Sequence, residues 1–147
     1  MSSHRASLSW ERGGAAFEYK TYSRNHRVVV GEGVVLEASS APAYLGDSTR
    51  INPEDMLVAA LSSCHMLTFL AVAAKKKLVL DTYTDEAEGF LEKGTDGRIW
   101  VTRVILRPKV VFAGAAPDAA VLAELHHEAH RGCFIANSVK TEVTVEA

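Results

Sequence analysis

Residues 52–77 read NPEDMLVAALSSCHMLTFLAVAAKKK, and this stretch decides the fold. Asn52 is suited to cap a helix and Pro53 to occupy its first position, and the lysines at 75–77 place positive charge where the helix dipole is negative. No glycine or later proline interrupts the stretch, so we expect one continuous helix of about 34 Å. Its apolar residues leave no wide polar stripe, which predicts burial on all sides.

The apolar run inside this helix approaches the length of a bilayer span. Ser62, Ser63, His65 and Thr68 interrupt it midway, and no second apolar segment follows. The first residues of the sequence also lack the apolar core of a signal peptide. We therefore expect a soluble, cytoplasmic protein with a core helix rather than a membrane protein.

Composition narrows the possible partners. The 147 residues, 48% of them hydrophobic, are enough for one domain with its own core, which we expect to span residues 1–147. The formal net charge is −2, which offers no electrostatic reason to bind nucleic acid or an anionic membrane surface.

The remaining chain alternates between strand and turn signals. Gly94 to Gly97 predicts a hairpin turn between two long strands, and Pro108 should place part of the second strand at an edge or a bulge. A second helix is expected from Pro117 to Arg131, ended by Gly132. Strands are predicted at 8–10, 16–22, 28–30, 34–36, 78–93, 98–112 and 141–146. This order of elements predicts an α+β domain.

Two cysteines, Cys64 and Cys133, are the candidates for chemistry. Two inert core thiols are the plain alternative, because free cysteine is among the most buried residue types. A free cysteine with a pKa of about 8.5 is only about 3% thiolate at pH 7, so a reactive Cys64 in mid-helix requires a cation from elsewhere. The candidate cations are Arg24, Arg27, Arg50, His26 and His65, and arginine is favoured because its charge survives burial.

A zinc site is a second alternative for these residues. His126 and His130 are spaced i, i+4 on the second helix, and the two cysteines could complete a set of four ligands. No compact ligand motif accompanies them, so capping and core packing is the commoner role for such histidines.

Three segments together resemble one known family. Asn52 to Leu57 is followed by small residues and Cys64; Ala129-His130-Arg131-Gly132-Cys133 precedes Asn137-Ser138; and Arg24 to Arg27 reads R-x-x-R. These segments are similar to those of the OsmC/Ohr family, the osmotically inducible and organic hydroperoxide resistance thiol peroxidases. The resemblance covers nearly the whole chain. It implies an OsmC-like α+β fold in which antiparallel strands wrap a long central helix, as an intertwined homodimer.

The same resemblance implies roles for four residues. Cys64 would be the peroxidatic thiolate and Cys133 the resolving thiol, with Arg24 and Glu54 as the pair that poises Cys64. In this sequence Phe134 follows the second cysteine, where the family usually has proline. The OsmC branch places its arginine nearer the helix, where this chain has none around Ala43, so Arg50 is the alternative to Arg24.

The activity implied is reduction of small organic hydroperoxides to alcohols. A Cys64 sulfenic acid would be resolved as a Cys64–Cys133 disulfide, which a dithiol, of the lipoyl type by resemblance, then reduces. No metal or organic cofactor is required. The alternative is a non-catalytic thiol-binding, small-ligand-binding or redox-sensing module on the same fold.

The spacing of Glu54 and Cys64 predicts a dimer. Ten residues separate them on one helix, so they lie about 15 Å apart along its axis, beyond the reach of a carboxylate side chain. A Glu54 that serves Cys64 most simply comes from an antiparallel partner helix, which would also bury the surplus apolar faces.

Overall fold

The computed structural model describes all 147 residues of the chain, from Met1 to Ala147. They form two compact units, Met1–Met56 and Leu57–Ala147. Two α-helices and eight strands in three sheets confirm the prediction of an α+β fold. Whether the two units form one domain stays a prediction.

The first unit contains one antiparallel sheet of three strands. These are β1 (Ala6–Ser9), β2 (His26–Val30) and β3 (Val34–Ala38), with β2 in the centre. Gly31 and Gly33 take positive φ between β2 and β3, a conformation that glycine adopts without steric cost. The prediction of strands at Val28–Val30 and Val34–Leu36 is therefore confirmed.

The prediction of a strand from Ala16 to Tyr22 was wrong. Thr21 and Tyr22 donate their backbone N–H groups to the carbonyl of Glu18, so the segment satisfies its polar groups in a local turn rather than in a ladder. Its apolar side chains also find partners nearby. The ring of Phe17 lies 5.7 Å from that of Trp10 and 5.2 Å from that of Tyr22, between centroids.

Helix α1 runs from Pro53 to Lys75, as predicted. Asn52 caps it: its Oδ1 accepts from the Asp55 N–H at 2.9 Å, and its Nδ2 donates to the Asp55 carboxylate at 2.9 Å. At the other end Lys77 takes the left-handed conformation, with φ +59°, in the position that glycine usually fills. By length and composition alone α1 could cross a membrane, a test that the core helix of a soluble protein also passes.

Burial along α1 follows one stripe only. The buried residues are Leu61, His65, Phe69 and Ala73, spaced four apart, whereas Leu67 is 59% exposed. The burial on all sides expected from the apolar composition is therefore not seen in the single chain. The composition of a helix shows how apolar each of its faces is. It does not show whether other elements of the same chain pack against each face.

The second unit contains two sheets. The long strand predicted at 78–93 divides into β4 (Leu80–Asp85) and β5 (Glu88–Lys93), and that at 98–112 into β6 (Ile99–Leu106) and β7 (Pro108–Phe112). Strand β4 pairs only with β7, while β5 and the final strand β8 (Glu142–Val145) flank β6. Because Pro108 has no N–H to donate, the chain leaves the β6 sheet there and begins an edge strand.

Helix α2 spans Ala119–Gly132, and its N-cap Asp118 accepts from the Val121 N–H at 2.9 Å. Two apolar clusters then form against α1. Phe69 and Ala73 pack with Leu125 and Ala129 of α2, and Leu61 packs with two residues of β6, Val104 and Leu106. Cys64 and His65 fall between these clusters along α1, so the segment that carries the first cysteine is held by packing on both sides.

Candidate active site

Cys64 lies in the middle of α1 and is partly exposed. Its carbonyl accepts a hydrogen bond from Thr68 Oγ1 at 2.9 Å, one turn further along the helix. Two residues before it, the Ser62 hydroxyl donates to the Asp85 carboxylate at 2.5 Å, which ties this part of α1 to the end of β4. Cys64 is thus held on a helix that is fixed by side-chain contacts, and the residue is partly exposed.

Cys133 follows the last residue of α2 and is buried, with 1% of its surface exposed. Its Sγ accepts a hydrogen bond from the backbone N–H of Ala136 at 3.4 Å. Burial raises the pKa of the Cys133 thiol; the hydrogen bond from the Ala136 N–H opposes this rise, and the neighbouring Cys64 sulfur adds to it. The chain therefore brings the two cysteines together as free thiols of unequal character.

Gly132 brings the end of α2 close to α1. A Cβ placed on Gly132 would lie 3.0 Å from Cγ2 of Thr68, tighter than ordinary van der Waals contact. Gly132 lies within the helix and takes no positive φ, so it does not end α2 in the way the sequence suggested. Its missing side chain instead allows the two helices to approach beside the cysteines.

Arg24 belongs to the first unit, and its guanidinium is held there by main-chain and aromatic groups. Nη1 donates to the Tyr22 carbonyl at 2.6 Å, and Nη2 donates to the Tyr19 carbonyl. The guanidinium carbon also lies 3.6 Å from the centroid of the Tyr22 ring. No carboxylate of the chain forms an ion pair with Arg24, and its role toward Cys64 stays a prediction.

Arg50 differs in this respect. Its Nη1 lies 3.0 Å from Glu37 Oε2, and its Nε lies 3.7 Å from Asp47 Oδ2. Glu54, in the first turn of α1, forms no ion pair within the chain. The two carboxylates around Arg50 therefore compensate its charge.

A buried pair of histidines was missed by the sequence analysis. His65 Nε2 and His126 Nδ1 are 3.1 Å apart, and the two ring planes are nearly parallel, at an angle of 8°. Burial lowers the pKa of both, that of His65 to about 4. The signals present in the sequence were His65 beside Cys64 and the histidines of α2, but no local pattern joins residues so far apart.

No group of three or more His, Cys, Asp and Glu side chains is arranged to hold a metal ion, which leaves the zinc alternative without a ligand set.

Comparisons with known proteins find one family model and several related chains. The family model described as OsmC-like protein matches residues 46–147. The solved structure of an OsmC-like protein of unknown function, VCA0330 from Vibrio cholerae, is 45% identical, covers 99% of both chains and superposes with a TM-score of 0.94. The uncharacterized protein YmaD of Bacillus subtilis is 26% identical over 127 residues, 84% of either chain.

A more distant likeness concerns the fold alone. The organic hydroperoxide resistance protein OhrB of Bacillus subtilis is 19% identical, with 98% of this chain and 96% of that one covered and a TM-score of 0.70. The family model spans α1 together with its N-cap Asn52, both cysteines and both sheets of the second unit. The chain belongs to the OsmC-like protein family.

Proposed function

We propose that this protein reduces organic hydroperoxides to alcohols with electrons from a dithiol. The observation that carries the proposal is the meeting of two free thiols from different elements, Cys64 accessible and Cys133 buried. Membership in the OsmC-like family supports a redox role for such a pair. A partly exposed Cys64 suits the attack on a substrate. A buried Cys133 beside it suits the later formation of a disulfide with Cys64.

The reaction follows from sulfur chemistry. The Cys64 thiolate attacks the terminal oxygen of the hydroperoxide; the O–O bond breaks, the alcohol leaves after taking up a proton, and Cys64 becomes a sulfenic acid. The Cys133 sulfur then attacks the Cys64 sulfur, an S–S bond forms and water leaves. A dithiol, of the lipoyl type by family resemblance, returns two electrons and two protons by thiol–disulfide exchange.

Arg24 is the proposed source of positive charge for the Cys64 thiolate, with Glu54 orienting its guanidinium. Support comes from the two arginines themselves. Arg50 is paired with two carboxylates, whereas Arg24 has only carbonyl and aromatic partners and keeps its charge uncompensated.

A homodimer with composite sites accompanies this proposal. Glu54 lies about 15 Å along the helix from Cys64, so a partner chain is the simplest source of the carboxylate. The face of α1 that stays exposed supports the same idea, because it consists of small or apolar residues; these are Ala59, Ser63, Leu67 and Ala71. A protein that is monomeric at micromolar concentration in analytical ultracentrifugation, yet fully active, would contradict the composite site.

The decisive experiment follows consumption of tert-butyl hydroperoxide by the reduced protein with dihydrolipoamide present. We expect catalytic turnover, faster than with hydrogen peroxide because apolar clusters flank the Cys64 segment of α1 on both sides. The matched control is Cys64→Ser, which should consume no hydroperoxide. Fully reduced wild-type protein that does not turn over would contradict the peroxidase, and would favour the non-catalytic thiol or ligand-binding module.

A further inference from the structure

The His65–His126 contact is the one side-chain hydrogen bond between α1 and α2. Both residues are buried, with 1% and 5% of their surfaces exposed, and the ring of Phe69 lies 4.5 Å from that of His126. Asp85 and His130 are the nearby groups whose charges act on the pair, the former favouring and the latter opposing protonation of His65. The setting is therefore apolar, with few compensating charges.

Stability alone does not account for this pair. His65 Nδ1 and His126 Nε2 are buried and have no hydrogen-bond partner. With both rings neutral, one N–H lies between the rings, and the other N–H and one ring lone pair stay unpaired whichever tautomers are present. Each unpaired group costs about 1–3 kcal/mol, so two apolar side chains of similar volume would be cheaper here.

The position of the pair gives it a different use. His65 is the next residue after Cys64, and His126 lies seven residues before Cys133, about two turns of α2. Apolar contacts tolerate a sliding movement between helices, whereas a hydrogen bond requires a narrow range of distances and angles. A partly exposed ion pair, Lys76 Nζ to Glu128 Oε1 at 2.8 Å, also joins α2 to the residue after α1. The histidine contact adds a buried constraint on the register of α2, closer to the two cysteines.

We infer that the His65–His126 hydrogen bond is a positioning element for the two thiols, which holds α2 in the register that favours the Cys64–Cys133 disulfide over the dithiol. The inference deepens the proposed function, since it concerns the same two cysteines, but it does not depend on the oxidant. With glutathione disulfide, the Cys64–Cys133 S–S bond forms and the glutathione S–S bond breaks. The two protein thiols then lose two electrons and two protons, and two molecules of glutathione are released.

The test measures the equilibrium of the full chain with glutathione redox buffers near neutral pH. Acid quenching, alkylation and mass spectrometry give the fraction of protein with the internal disulfide. We expect His126→Phe, which keeps an aromatic ring but cannot hydrogen-bond, to lower the equilibrium constant for the disulfide several-fold and at most about tenfold, because α2 is no longer held in the register that places Cys133 beside Cys64. His126→Asn places an amide near the position of Nδ1 and should stay within about threefold of wild type. His127→Phe, at the exposed neighbouring residue, is the matched control and should change nothing.

Circular dichroism shows whether each variant is folded. If His126→Phe unfolds, His126→Gln takes its place, because its amide extends one bond too far to occupy the Nδ1 position. A folded His126→Phe, or its Gln replacement, with an equilibrium constant within about twofold of wild type would overturn the inference. Loss of the disulfide in His126→Asn to the same extent as in His126→Phe would also overturn it.

The two proposals fail in different ways. Wild-type protein that equilibrates with glutathione but never reacts with hydroperoxide contradicts the peroxidase and leaves the positioning role standing. A protein that turns over hydroperoxide, with His126→Phe matching wild type in glutathione, contradicts only the positioning role.

Discussion

Cys64 and Cys133 are neighbours in the structure, but the two regions that carry them differ in how far they expose the thiol. Cys64 is carried by the middle of a long helix, between two apolar clusters, and is partly exposed. Cys133 follows the end of a shorter helix, is buried, and accepts a backbone N–H at its sulfur. The first region offers access on a rigid support, and the second offers protection beside a turn. Proximity therefore does not make the two thiols equivalent, and the difference in exposure supports the proposed order, in which Cys64 reacts first.

The largest expected effect comes from replacing each cysteine by serine in turn. Cys64→Ser should abolish hydroperoxide consumption, whereas Cys133→Ser should still consume about one equivalent, because a sulfenic acid forms without a resolving thiol. Excess peroxide should then drive Cys64 of the Cys133→Ser variant to sulfinic and sulfonic acid. Mass spectrometry checks this, since wild type should lose two hydrogens and the variant should gain oxygens. Wild type that gains oxygens on Cys64 and forms no internal disulfide would contradict the resolving role of Cys133.

The next effect concerns the cation that serves the accessible thiol. In a Cys133→Ser background, Arg24→Met should move the pH profile of Cys64 alkylation upward by about one pH unit, because a nearby positive charge favours the thiolate. Arg50→Met is the matched control and should move it much less, since Glu37 and Asp47 already compensate Arg50. The opposite ranking would assign the role to Arg50.

The third effect concerns the His65–His126 contact between the two helices. It is measured as the dependence of the free energy of unfolding on pH. Burial lowers the pKa of His65 from 6.5 to about 4, so the unfolded chain binds a proton that the folded chain refuses. The contribution of His65 to the free energy of unfolding is therefore fully present above about pH 6.5. It decreases by about 3 kcal/mol as the pH falls to about 4.

Urea unfolding at several pH values measures this slope. His65→Phe should remove most of it, while His127→Gln should leave it unchanged, because His127 is exposed and outside the pair. Equal slopes for wild type and His65→Phe would show that His65 is not the group that titrates.

The smallest effect concerns the close approach of the two helices. Gly132→Ala would place a methyl group 3.0 Å from Cγ2 of Thr68, so the Thr68 side chain or α2 must shift by a few tenths of an ångström. We expect a loss of about 1 kcal/mol or less and a slower closure of the disulfide. Thr68→Ser removes the opposing methyl group and keeps the hydroxyl bond to the Cys64 carbonyl, so the double variant should recover. No recovery in the double variant would place the strain elsewhere.

Signals carried by neighbouring residues predicted much of the fold. The cap formed by Asn52, the lysines at 75–77 and the uninterrupted helix formers between them predicted α1 almost to the residue. The second helix was predicted from Pro117 to Arg131, and α2 runs from Ala119 to Gly132. Capping, dipole and propensity act within about four residues, so they can be read from the order of the chain. The cysteine segments likewise indicated the family.

What only the tertiary structure decided involves residues that are distant in sequence. The division of the two long strands depended on Pro108 and on which sheet had room for β7, and the loss of the strand at 16–22 depended on aromatic packing. His65 and His126 are 61 residues apart, and no local pattern predicts a hydrogen bond between them. The sequence by itself determined α1, α2, the hairpin turn and the identity of the two thiols. The tertiary structure decided that Cys64 is accessible and Cys133 buried, because burial is a property of everything that packs around a side chain.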